Sequence, residues 1–140
     1  MKKRLFVVLA VLALVGCGSG TGKSDTVSTS NPTTGAGVDL SGNWTGAAVA
    51  TNGSNGSANI ALTLSQSGSK VSGTFSSSTG NTGSIVGTVS GSSFSGDLFP
   101  SVPTNCPAKI VLIYSNNQLS GTTTTYNCSV IVSSNATLSR

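Results

Sequence analysis

From Trp44 to the end of the chain, apolar and polar residues alternate in short runs separated by Gly, Ser and Asn. The clearest run sets Ala58, Ile60, Leu62 and Leu64 against Asn59, Ala61, Thr63 and Ser65. A period of two places the first set on one face of an extended chain and the second on the other, the pattern of a strand packed on one side only. The alternation recurs at Val71, Gly73 and Phe75, at Ile85, Gly87 and Val89, and at Phe94, Gly96 and Leu98. It recurs again at Ile110, Leu112 and Tyr114, with Val111 and Ile113 opposite. Trp44 to about Thr51 begins the series. A Thr-rich strand from Leu119 to Cys128, then one bent strand or a strand pair from Ser129 to Ser139, ends it.

The breaks between runs carry turn chemistry: Gln66-Ser67-Gly68-Ser69-Lys70, the Ser, Thr, Gly and Asn loop at 76–82, Ser90-Gly91-Ser92-Ser93, the loop with Pro100, Pro103 and Pro107, and Ser115-Asn116-Asn117-Gln118. The pattern predicts an all-β domain, an antiparallel meander of about eight strands. Such a meander removes its exposed edges by closing into a small up-and-down barrel, with a β-sandwich as the alternative. A weak repeat points to curvature. Val71-Ser72-Gly73-Thr74-Phe75, Ile85-Val86-Gly87-Thr88-Val89, Phe94-Ser95-Gly96-Asp97-Leu98 and Leu119-Ser120-Gly121-Thr122-Thr123 each hold Gly in the phase of the inward set. Mid-strand Gly weakens a strand unless the site needs a bend or a close approach, so the constant phase predicts strands coiling around a narrow interior.

A different pattern occupies the amino terminus. Lys2, Lys3 and Arg4 precede an unbroken apolar run from Leu5 to Val15. That run is shorter than the roughly 20 residues a membrane-spanning helix needs, and it reads as the apolar region of a secretory signal helix. Its ending, Leu14-Val15-Gly16-Cys17, resembles the lipobox of bacterial lipoproteins. The resemblance implies cleavage between Gly16 and Cys17, a diacylglyceryl group on the Cys17 sulfur, and acylation of the new amino terminus. Two or more acyl chains hold a protein on a bilayer where one does so only marginally. Gly18 stands where many inner-membrane lipoproteins carry a retention Asp, so the resemblance implies the outer membrane in an organism with two membranes. From Gly18 to about Val38 almost nothing is apolar, which predicts a disordered tether with a span of roughly 25 Å. The expected organisation is therefore 1–16 signal peptide, 17–38 lipidated Cys and linker, and 39–140 barrel domain.

Charge changes meaning once the chain is divided at Cys17. The net charge is +4 with only 7% charged residues. Removing Lys2, Lys3 and Arg4 leaves Lys23, Lys70, Lys109 and Arg140 against Asp25, Asp39 and Asp97, a balance of +1. Nucleic-acid binding needs clustered Lys and Arg and is not expected. Gly22-Lys23-Ser24 looks like the end of a phosphate loop, but Cys17 occupies the position of its first Gly. With no His and no Glu in the chain, a Ser nucleophile has no base, and Asp39 with Asp97 is the only conceivable carboxylate pair. No catalytic residue, no metal site and no cofactor is expected. Besides Cys17 there are two cysteines, Cys106 and Cys128, and an even pair in an exported protein is most simply a disulfide. A zinc site would need more ligands than two thiolates, and a catalytic thiol would need a base.

The opening of the domain, Gly42-Asn43-Trp44-Thr45-Gly46, places a Trp early in the first strand of an all-β meander. It resembles avidin-like and lipocalin-like barrels, and small bacterial lipoprotein barrels that inhibit proteases. In the former families that Trp often lies near one end of the barrel. Two functions follow. One is a module whose barrel mouth, with Trp44, Tyr114 or Tyr126, holds a small apolar or amphipathic ligand. The other is a solid barrel whose outer face or loops contact an envelope protein, the protease-inhibitor case included.

Overall fold

The structure is a computed structural model that describes residues 37–53, 56–102 and 105–140. Residues 1–16, read above as a signal peptide, Cys17 and most of the stretch read as a linker lie outside the described residues.

Eight strands follow in order: β1 Gly42–Ala50, β2 Ser57–Ser67, β3 Lys70–Ser77, β4 Thr82–Ser90, β5 Ser93–Pro100, β6 Ala108–Ser115, β7 Gln118–Thr125 and β8 Ser133–Ser139. Each pairs antiparallel with the next, and β1 pairs with β8, so the sheet closes into a barrel. Closure leaves no unpaired edge, which settles the choice between barrel and sandwich. The alternation seen in the sequence becomes inside and outside. Leu62, Leu64, Ile85, Ile110, Leu112 and Leu138 are buried, whereas Val111 and Ile113 face out.

Glycine spacing has the steric origin expected of it. A Cβ built on Gly73 would collide with the Thr63 carbonyl of β2, and one on Gly121 with the Val111 carbonyl of β6. Neighbouring strands therefore approach more closely than any side chain permits, and the sheet coils tightly there. Gly87 and Gly96 are paired across β4 and β5, and the Phe94 ring lies against both. The ring covers backbone that the missing side chains leave bare.

The two ends of the barrel differ. At one end three hairpins turn in two residues: Gly68-Ser69, Gly91-Ser92 and Asn116-Asn117. Gly68 and Gly91 have φ of 61° and 57°, and Asn116 and Asn117 have 51° and 59°, the positive values that two-residue hairpins require. At the other end the connections are longer, running over 51–56, 78–81, 101–107 and 126–132.

The last two strands differ from the expectation. β7 stops at Thr125, and a single strand, β8, begins only at Ser133. The Tyr126 N–H is drawn to the Pro107 carbonyl, Asn127 adopts φ 55°, and Cys128 reaches Cys106. These contacts turn 126–132 away from the ladder toward the β5–β6 loop, so the residues up to Cys128 form a connection and not strand.

Candidate ligand-binding site

Large and small inward residues are segregated along the barrel axis. Toward the short hairpins the interior is filled by Trp44, Leu64, Val71, Val89, Phe94, Leu112 and Leu119, all buried. Toward the long loops the inward positions of β1, β6 and β8 are Ala48 and Ala50, Ala108, and Ser134 and Ala136. Side chains that small cannot meet across the barrel, and a cavity of about 480 Å³ remains. Leu62, Ile110 and Leu138 form its floor, and Ile60, Phe75 and Leu98 its walls. Those three wall residues point inward yet are only half-buried, because they face the cavity and not packed protein. Volume and lining fall within the range of small-molecule sites.

The opposite end is plugged by the chain entering the barrel. The Val38 N–H donates to the Gly91 carbonyl at 3.0 Å, and Leu40 is wholly buried. Gln66 pins this segment in both directions: the Leu40 N–H donates to Oε1 at 2.8 Å, and Nε2 donates to the Val38 carbonyl at 3.1 Å. The Trp44 indole N–H donates to the Leu40 carbonyl at 2.9 Å. Tyr114 meets the Trp44 ring edge-on at 6.0 Å, and the Arg140 guanidinium lies 4.5 Å from its centroid. Arg140 also donates to the Asp39 carbonyl at 2.6 Å, joining the last residue of the chain to the plug.

The aromatic residues singled out in the sequence are therefore placed apart from the cavity. Trp44 is a core residue at the closed end, its indole N–H satisfied by backbone, with Tyr114 packed beside it and bonded to Asn117. Tyr126 is on the outside. Its hydroxyl donates to Asp97 at 3.1 Å, and its ring lies 5.6 Å from the Lys109 ammonium. The aromatic residue that does line the cavity is Phe75, read in the sequence only as part of a strand. The signal that could have located the site was residue size: inward residues grow smaller toward the long loops, from Trp44 to Ala50 along β1 and, against chain direction, from Leu64 to Ala58 along β2. Reading it requires reversing every second strand.

At the mouth, Cys106 and Cys128 are joined as a disulfide with Cα atoms 5.9 Å apart. It ties the β5–β6 loop, whose Asn105 and Cys106 line the cavity, to the β7–β8 loop. On the outer wall, Lys109 and Asp97 form an ion pair at 2.7 Å. The hydrogen bond from Lys109 holds the Asp97 carboxyl below its usual range, and the same bond raises the Lys109 ammonium. Desolvation, with Asp97 nearby, raises Tyr126. At the closed end the Ser41 N–H lowers Asp39. Neither carboxylate lines the cavity.

No protein-family model matches this sequence, and no curated protein matches it. Among solved structures the chain is similar to that of EF1p2_mFAP2b bound to DFHBI. That match has a TM-score of 0.60 and 14% identity, and covers 72% of this chain and 93% of the other. At that identity the likeness extends to the fold: both are small closed β-barrels.

Proposed function

We propose that this protein is a membrane-anchored, non-catalytic lipoprotein whose barrel binds a small apolar or amphipathic ligand. The observation that carries the reading is the cavity: apolar walls, a solid floor, one plugged end and one end bounded only by loops. The similar barrel was solved with DFHBI bound, which supports reading an enclosed space in this architecture as a ligand site. The absence of His and Glu from the chain, and the placement of Asp39 and Asp97 away from the cavity, support binding without turnover. Anchoring rests on the likeness of Leu14-Val15-Gly16-Cys17 to a lipobox. Val38 and Leu40, the first described residues to enter the barrel, do so at the plugged end and not at the mouth.

Titration with the neutral fluorophore N-phenyl-1-naphthylamine tests the binding reading. A saturable, one-to-one fluorescence increase is expected. It should weaken by roughly tenfold or more in Ala136→Leu or Ala108→Leu, whose added carbons occupy cavity space. No saturable signal, or unchanged affinity in both folded variants, would overturn the reading. Membrane attachment is tested by Cys17→Ser in the producing cell: the variant should leave the membrane fraction, and retention through carbonate extraction would sink the anchor.

The alternative, contact with an envelope protein, draws on apolar residues exposed in the mouth loops, Val102, Val130 and Ile131. Native mass spectrometry of protein from its own host separates the two. A retained small molecule supports the first reading and a stoichiometric protein partner the second.

A further inference from the structure

Every formal charge among the described residues is kept out of the cavity. Asp39 and Arg140 lie at the plug, and Lys70 lies where the closed-end hairpin between β2 and β3 begins its second strand. Asp97 and Lys109 flank the lining residues Leu98 and Ala108 in sequence, but strand alternation turns them outward, where they neutralise each other. Among the described residues the lining side chains hold only carbon, hydroxyl and amide groups and the Cys106 disulfide sulfur, none of them charged.

Its amides are concentrated at one side of the mouth. Asn105 Nδ2 donates to Asn81 Oδ1, and Asn81 Nδ2 makes a long bond of 3.4 Å to Thr79 Oγ1. A primary amide offers two N–H donors and an acceptor oxygen. Among the described residues, this arrangement leaves one N–H on each Asn and the Asn105 oxygen without a partner. An ionised ligand entering such a cavity exchanges water for surroundings that hold no opposite charge, which is strongly unfavourable. A neutral ligand with a hydrogen-bonding end group loses little, since the spare amide groups replace its water.

Resting on the binding reading above, we infer that the cavity selects uncharged ligands with a hydrocarbon body and a neutral hydrogen-bonding end group, and that Asn81 and Asn105 hold that end group. Hydroxyl, carbonyl and carboxamide ends meet the requirement; carboxylate, sulfonate and ammonium ends do not.

Two probes with one skeleton test the charge selection. N-phenyl-1-naphthylamine is expected to bind the wild-type protein roughly a hundredfold or more tighter than 1-anilinonaphthalene-8-sulfonate. Thr123→Lys, which introduces an ammonium into the lining, should reverse the order. Comparable affinity of both probes for the wild type would overturn the selection and leave the binding reading intact. Binding of neither would overturn both. The end-group assignment is tested by displacing the naphthylamine probe with 4-octylphenol or octylbenzene. The phenol should displace it at roughly tenfold lower concentration, and Asn81→Leu should remove that advantage. Equal displacement by the two in the wild-type protein would overturn the role of the amide pair.

Discussion

A methyl group at Gly73 would be driven into the carbonyl of Thr63, a backbone atom that cannot move without breaking the β2–β3 ladder. Gly73→Ala is therefore expected to lose about 1–3 kcal/mol, the cost of overpacking a site that cannot relax. Gly56→Ala provides the comparison. Among the described residues no atom lies within 4 Å of its built Cβ, so the change should stay within about 0.5 kcal/mol. Urea denaturation of both variants checks the contrast, and equal effects would show that the strands are not held at their observed separation. Single residues also decide the character of the closed end. An end-of-barrel Trp44 was implied by the resemblance to avidin-like and lipocalin-like barrels, but which end it occupies and what it touches were not legible. Leu40, Gln66 and Arg140 are 26 or more residues apart in the pairs they form, Leu40 with Gln66 and Arg140 with Asp39, and local sequence carries no trace of such contacts.

At the scale of elements, turn chemistry and strand phase were legible because both are local. Asn116-Asn117 supplies the two positive φ values of its hairpin, and the inward set of each strand follows from its alternation. The β7–β8 connection was misread as strand because Thr122 to Cys128 has strand composition, while the contacts that end the strand come from Pro107 and Cys106 in another loop. That pairing suggests what the disulfide does. It closes a span of 22 residues and joins the two loops beside the mouth. Its removal in Cys106→Ser/Cys128→Ser should cost roughly 3 kcal/mol through the unfolded chain. Guanidinium unfolding with and without reductant measures this, and a reduced protein of unchanged midpoint would show that the bridge adds no stability.

The whole molecule has an unusual titration behaviour because its groups are so few. In the folded state the Asp97 and Asp39 carboxyls are held below the unfolded value near 4 by their hydrogen bonds. Their contribution is complete above that value and is lost as pH falls through the depressed folded values. Lys109 and Tyr126 are raised, so theirs is complete below the unfolded values near 10 and is lost as pH rises further. With no His in the chain, the thermal midpoint should be flat between about pH 5 and 9 and decline on both sides. The decline should be shallow, since the Lys109 side chain is 64% exposed. A step near pH 6 to 7 in a melting series would contradict this account.

At this same scale the division between chain and fold becomes clear. Strand number, order, facing and hairpin type were written locally, in alternation, glycine phase and turn residues, because each depends on neighbours a few positions away. The supply of residues, with no His and no Glu, was likewise read directly from the sequence. Whether the barrel is solid or hollow was not local, since it depends on which inward residues from eight strands meet at one height. Alternate strands run in opposite directions, so the small residues that make the cavity, Ala48, Ala58, Ala108 and Ala136 among them, are scattered through the chain. Only sheet closure gathers them at the end away from Trp44, leaving space where their side chains are too short to meet.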